Sequence, residues 1–165
     1  MKKEIYFAGG CFWGMEAYFS RVKGVVETKV GYANGNIKNP SYEEVCKGIA
    51  THSECVKIIY NDKITNLDIL LNHYFRVVNP YSVNKQGNDE GLQYRSGIYY
   101  LDVDSKSIII NYINNLQTHS NKKIVVEVLP LNNFYDAEIY HQKYLDKNPN
   151  GYCHIDLSLL KEEEK

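Results

Sequence analysis

Nowhere does the chain reach the roughly 18 consecutive apolar residues that a helix needs to cross a bilayer. Neither charge sign prevails: 19 Lys plus Arg stand against 20 Asp plus Glu, a formal net charge of -1. The basic stripe of a nucleic-acid binder is therefore missing. The start, "MKKEIYFAGGC", lacks a signal-peptide core, because its apolar stretch runs only from Ile5 to Ala8, short of the roughly 7–15 residues such a core needs. The chain accordingly reads as cytoplasmic, with no membrane and no nucleic acid among its partners. Repeats, low-complexity blocks and linkers are absent. No C-x-x-C pair occurs among Cys11, Cys46, Cys55 and Cys153. A zinc site from Cys46, His52, Cys55 and Cys153 would fit no closed tetrahedral spacing, so no metal is expected.

What is present is ordinary globular chemistry. The 165 residues are 44% hydrophobic and 24% charged, one domain's worth of chain with enough apolar surface for a sizeable core. In a cytoplasmic protein of this size the cysteines read as free thiols, some of them catalytic, rather than as structural disulfides. The closing charge run "KEEEK" reads as a solvated, frayed end.

Hydrophobic periodicity predicts a buried strand at 4–8, a helix from just after Cys11 to before Gly24, and a strand over "VVETKVGYA". "NPSYEEVCKG" predicts a short helix with a Ser41–Glu44 capping box and a stop at Gly48. A strand over "ECVKIIY" follows. Leu67, Leu70, Leu71, Tyr74, Phe75 and Val78 then form a helical stripe, capped by Asn66 and stopped by Asn79-Pro80. The polar loop "NKQGNDEGLQ" leads into the strand "YRSGIYYL"; a helix over 105–117, a strand over 123–129, a last helix over 135–146 and an irregular tail complete the chain. Strands with period-2 patterns and polar partners favour an α+β two-layer sandwich, a mixed sheet with helices mainly on one face.

The stretch "FAGGCFWGMEAYF" places Cys11 between a Gly-Gly turn and a helix. Unpaired N–H groups and the positive end of the helix dipole there favour a thiolate. Gly9 and Gly10 let the backbone turn sharply and leave room for a substrate, so Gly10 joins the expected substrate-binding residues. Phe12 and Trp13 can wall an apolar pocket. An activated nucleophile is one reading of this pattern; a structural cysteine in a tight turn is about as frequent.

Taken in order, "GCFWG", "GYANG", "NPSYEEVC", "HSECVKIIY", "QGNDEGLQYRSGIYY" and "AEIYHQKYLDKNPNGYC" resemble the motifs of the A-type peptide methionine sulfoxide reductases, over about residues 4 to 156. The resemblance implies a ferredoxin-like core and thiol-dependent reduction of methionine S-sulfoxide, free or in oxidised peptides and proteins. No cofactor is implied; the external reductant would be thioredoxin, or dithiothreitol in vitro. Cys11 matches the cysteine that attacks sulfur and becomes a sulfenic acid. Phe12 and Trp13 match the residues that receive the substrate methyl, Glu54 the acid, and Tyr42 and Tyr94 the phenols that hydrogen-bond the sulfoxide oxygen. Asp89 matches an acidic residue expected to orient the site. Cys153 matches the resolving cysteine of a Cys11–Cys153 disulfide.

The residues themselves add to this. Glu54 shares a strand face with Val56 and Ile58 while Lys57 points the other way, so its carboxyl should have a raised pKa and hold a proton to give. Taken without the motif, a strand-end glutamate reaching solvent or pairing with a lysine is the more frequent case. No cysteine follows Cys153, which implies direct handover of the disulfide to thioredoxin. The expected organisation is a monomer with one catalytic domain, 1–165, whose segment 147–165 is mobile and carries the resolving cysteine. Cys46 matches a non-essential position, Cys55 reads as a small hydrophobe in a strand, and His52 and His141 take packing or hydrogen-bonding roles. Two other classes compete: a cysteine hydrolase, for which no histidine lies in a recognisable setting, and a non-enzymatic, tyrosine-rich peptide-binding module.

Overall fold

The computed structural model describes residues 1–165. In chain order the elements are β1 (Lys2–Ala8), α1 (Phe12–Phe19), β2 (Val25–Ala33), α2 (Tyr42–Cys46), β3 (Ser53–Asn61) and α3 (Leu67–Val77). A small hairpin of β4 (Lys85–Gln86) and β5 (Asp89–Glu90) follows, then β6 (Gly97–Tyr100), α4 (Val103–Gln117), β7 (Glu127–Pro130), β8 (Phe134–Asp136) and α5 (Tyr144–Lys147).

Side-chain alternation decides which way each strand faces. Ile5 and Phe7 of β1, Val30 and Tyr32 of β2, Val56 and Ile58 of β3 and Ile98 of β6 all belong to one 25-residue core. The helices cover that face with Phe12, Met15 and Phe19 from α1, Leu67, Leu70, Leu71 and Tyr74 from α3, and Ile109 from α4. On the reverse face Tyr6, Ala8, Ala33, Cys55 and Tyr99 form a thin cluster under Leu131 and Phe134. The result is the expected α+β sandwich with its helices on one side.

The sheet runs β7-β6-β1-β3-β2-β8, antiparallel throughout except for the β6–β7 pair. Its central strands, β6-β1-β3-β2, with α1 and α3 as crossovers, form a ferredoxin-like βαββαβ core. That topology seats β1 and β3 side by side at the centre, so the loop after β1 and the start of β3 open on the same edge.

Local signals fix the helix starts. Ser41 Oγ accepts from Glu44 N–H at 3.1 Å while Glu44 Oε1 accepts from Ser41 N–H at 2.9 Å, a complete capping box. Asn66 caps α3 through Ile69 N–H at 2.9 Å, and Asp102 caps α4 through Ser105 N–H at 2.7 Å.

Four expectations are corrected. The helix over 135–146 is instead β8, a single 3₁₀ turn at Ile139–His141, and the four-residue α5. Phe134–Asp136 pair with Gly31–Ala33 of β2, the Gln142 amide bonds both the N–H and C=O of Val30, and Lys143 is left-handed at φ 53°. A continuous helix is incompatible with that φ. The strand over 123–129 shortens to Glu127–Pro130, and the loop before β6 contains the β4–β5 hairpin, turned through Gly87 at φ +58°. Finally, the closing charge run is not frayed. Arg76 donates to both oxygens of Glu164 at 2.7 and 2.8 Å, Lys23 N–H donates to Glu164 O at 2.7 Å, and Ile155 and Leu160 are buried. No helix is long and apolar enough to cross a membrane.

Candidate active site

β1 ends at Ala8, whose carbonyl accepts from the buried Tyr74 hydroxyl at 2.7 Å. Gly10 then takes φ +82°, a value open to glycine at no steric cost, and its N–H donates to Tyr94 O at 3.2 Å. The reversal delivers Cys11 to the N-cap of α1. The cap bond is supplied from another element: Phe12 N–H donates to Glu54 Oε1 of β3 at 3.1 Å. One hydrogen bond thus brings the carboxyl to the residue after the thiol.

Glu54 is 1% exposed, and its second oxygen has no partner. Burial pushes its pKa up to about 8, against the lowering pull of the Phe12 N–H. At pH 7 it is a carboxylic acid with a free O–H, as expected from its strand face. Cys11 keeps 7% exposure, a narrow opening rather than a seal. Here the expectation of a thiolate is not met. Burial, then the nearby Glu54, push the thiol well above its ordinary range, and the Trp13 N–H offsets only part of this. Desolvation outweighs the helix terminus, and the resting site holds two protonated groups side by side.

Tyr42 opens α2, where its N–H donates to Glu138 Oε2 at 2.9 Å. Tyr94 closes the turn at Leu92–Tyr94. Burial first, with Glu54 among the further causes, raises both phenols, so both remain neutral donors. Tyr94 also feels Asp89 and Cys11, as a phenol near both would. The Tyr42 hydroxyl lies against the Cys46 sulfur.

The aromatic wall is built from both ends of the chain. Phe12 is 1% exposed, 5.7 Å from the Tyr32 ring and 5.2 Å from His141. Trp13 donates its indole N–H to His141 Nδ1 at 3.0 Å and stacks on Tyr144 at 3.7 Å and 7°. An accepting Nδ1 requires the neutral ring, which burial favours by lowering the His141 pKa. Such a stack is worth about 0.5–1.5 kcal/mol beyond its buried area, enough to hold the indole as a fixed wall.

Asp89 sits in β5, partly buried, close enough to the Tyr152 hydroxyl to raise its pKa beyond what burial does, with Oδ2 unpartnered. Cys153 lies in the tail, donating to Ile155 O at 3.2 Å, and all four cysteines are free. The tail rests directly on α1. A Cβ at Gly14 would meet Cys153 Sγ at 3.2 Å, and one at Gly10 would meet His154 Nε2 at 2.7 Å. Cys153 therefore has no long swing to make, contrary to a segment arriving from afar. The space beside Gly10 is filled by His154 rather than left for substrate.

Cys55 is fully buried on the reverse face, Cys46 is exposed on α2, and His52 packs over Gly35. No group of three or more His, Cys, Asp or Glu side chains is arranged to hold a metal ion. The sequence reading missed Glu138 and Tyr32, whose hydroxyl donates to Glu138 Oε1 at 2.7 Å, and it missed Tyr144 and His154. All four lie inside the quoted motif segments or next to them, so position was the available signal.

A recessed thiol, a neutral acid beside it, an aromatic wall and a second thiol brought against α1 by the tail define a thiol-dependent oxidoreductase. The sequence model of the family described as "Peptide methionine sulfoxide reductase" matches residues 3–165. The chain is 57% identical over 155 residues to the "Peptide methionine sulfoxide reductase MsrA" of Clostridium botulinum (strain Okra / Type B1), covering 94% of this chain and 99% of that one. Its fold matches reduced Mxr1 from Saccharomyces cerevisiae with a TM-score of 0.85 at 39% identity, over 92% of this chain and 88% of that one. It also matches Mxr1 in complex with Trx2, with a TM-score of 0.62 at 27% identity, over 87% and 84% of the two chains. This protein belongs to the peptide methionine sulfoxide reductase family.

Proposed function

We propose that the chain reduces methionine S-sulfoxide, free or within peptides and proteins, through a sulfenic acid at Cys11 and a Cys11–Cys153 disulfide. The observation that carries this reading is the neutral Glu54, bonded to Phe12 N–H by one oxygen and unpartnered at the other, next to the Cys11 thiol.

A sulfoxide seated with its methyl against Phe12 and Trp13 places its sulfur before Cys11 and its oxygen toward Glu54, Tyr42 and Tyr94. Cys11 sulfur bonds to substrate sulfur as the oxygen takes the Glu54 proton, and the vacated carboxylate accepts the Cys11 proton. Hydroxyl then passes to the Cys11 sulfur. Methionine leaves, two electrons richer at sulfur, and Cys11 is left as a sulfenic acid. The two phenols stabilise charge on the oxygen while it develops, and Asp89 helps fix their geometry. Cys153 next displaces the hydroxyl as water, giving the disulfide.

Thioredoxin is the proposed reductant, supported by the capture of the related yeast protein with Trx2. A cysteine hydrolase is disfavoured because His141, which packs on Phe12 beside Cys11, uses its Nδ1 to accept from the Trp13 indole N–H.

Cys153→Ser tests the cycle. Mixed with excess N-acetylmethionine S-sulfoxide, it should release one methionine per enzyme and stop, with a dimedone-reactive sulfenic acid at Cys11. Sustained turnover of this variant on thioredoxin would reject Cys153 as the resolving residue.

A further inference from the structure

His154 does something no motif assigned to it. Its Nε2 lies 3.0 Å from Gly9 O, and because a carbonyl only accepts, Nε2 carries the proton. Nδ1 is buried without a partner, 3.9 Å from Asp89 Oδ2, which is also buried and unpartnered. Burial lowers the His154 pKa, against the raising pull of Gly9 and Asp89, so the ring rests neutral and Nδ1 is a bare lone pair. That lone pair and Cys153 Sγ fall within 3.2 Å of one point, where a Cβ on Gly14 would sit. A thiol and a base without a partner therefore both lie over the first turn of α1, the thiol donating to Ile155 O in the resting state.

We propose that His154 is the base of the resolving step: Nδ1 accepts the Cys153 proton as that sulfur attacks the Cys11 sulfenic acid. The inference rests on the roles of Cys11 and Cys153 given above. The S–S bond forms as the S–O bond breaks. The oxygen departs as water with the proton that Nδ1 returns. Cys153 sulfur is oxidised and Cys11 sulfur reduced, so no outside reductant enters. Asp89 faces Nδ1 from β5 and stabilises the transient imidazolium. The other titratable group beside the ring is the Cys153 thiol, which reaches the same point over Gly14. Gln86, from β4, packs against Gly10 beside the ring and carries no charge.

The decisive variant is His154→Gln, which keeps an N–H for the Gly9 carbonyl and removes the base. Reduced protein is mixed with excess N-acetylmethionine S-sulfoxide without reductant, and methionine release, thiol loss and dimedone-trapped sulfenic acid are followed against pH. Methionine release should stay within about twofold of the parent, while disulfide formation slows by about tenfold or more and sulfenic acid becomes trappable. The parent's rise in disulfide rate as the imidazole loses its proton should vanish. A parental rate and pH profile in His154→Gln overturns the proposal. Cys153→Ser separates the two failures. If it accumulates sulfenic acid while His154→Gln resolves normally, only the base is rejected; if it still forms a disulfide with Cys11, the underlying reading is.

Discussion

Glu54 and Cys11 compete for the same few ångströms, and burial settles the contest in favour of protons on both. The carboxyl donates only while protonated, so methionine release should hold below about pH 8 and fall as pH rises through that value. Glu54→Gln should slow release by about a hundredfold or more and flatten the falling limb, read by rapid quench with a small sulfoxide. The same residue governs stability. Its pKa in the folded protein, about 8, lies above the ordinary 4.5, so the folded state binds the proton more tightly. Stability should therefore decline as pH rises from about 4.5 to 8, then level off. Denaturant titrations of Glu54→Gln should show a shallower slope across that window. Cys11→Ser removes the attacking sulfur altogether, and no methionine should appear at any pH.

At the level of elements, the aromatic wall depends on the turn before α5. Glu16, buried in α1, accepts from the Lys143 N–H at 2.7 Å, from its ammonium at 3.0 Å and from Thr28 Oγ1 at 2.8 Å. Those bonds hold Lys143 left-handed, which in turn lays Tyr144 flat on Trp13. Glu16→Gln should loosen the stack. Since Trp13 is the only tryptophan, its emission should shift to the red, and KM should rise several-fold with kcat little changed. The same turn shows where sequence reading ended. The strand over "VVETKVGYA", the Ser41 capping box and the Asn66 cap follow from neighbours within four residues and were legible. So was the face of β3 on which Glu54 lies, because alternation orients it, whereas its role as the acid came from the resemblance. The segment 135–146 was not, since its shape is set by Gln142 on β2 and Glu16 on α1, partners far away in sequence. The protonated state of Cys11 was hidden for a related reason: the helix start is visible in the sequence, the depth of burial is not.

Across the whole molecule, the carboxyl end is tied back to the helical layer. Arg76 of α3 grips Glu164 with two hydrogen bonds, also touches the Tyr18 hydroxyl and Leu159 O, and draws the Glu164 pKa down to about 2. With a depressed pKa, this contribution is present above about pH 4.5 and fades as pH falls toward 2. Arg76→Ala should cost roughly 1–2 kcal/mol and lower Tm by a few degrees. It should also open the last residues to limited proteolysis at neutral pH, while methionine release in a single turnover stays near parental. An acidic run at a terminus gives no hint of such a partner, and the expectation of a frayed end failed there.

His154 is hooked under Gly9 at one end of this segment and Glu164 is clasped by Arg76 at the other. A disulfide between Cys11 and Cys153, formed as proposed, would therefore be kept on a short leash at the doorstep of the pocket. A partner that reduced it would have to make the whole journey, and one with a narrow reactive tip would be suited to that threshold.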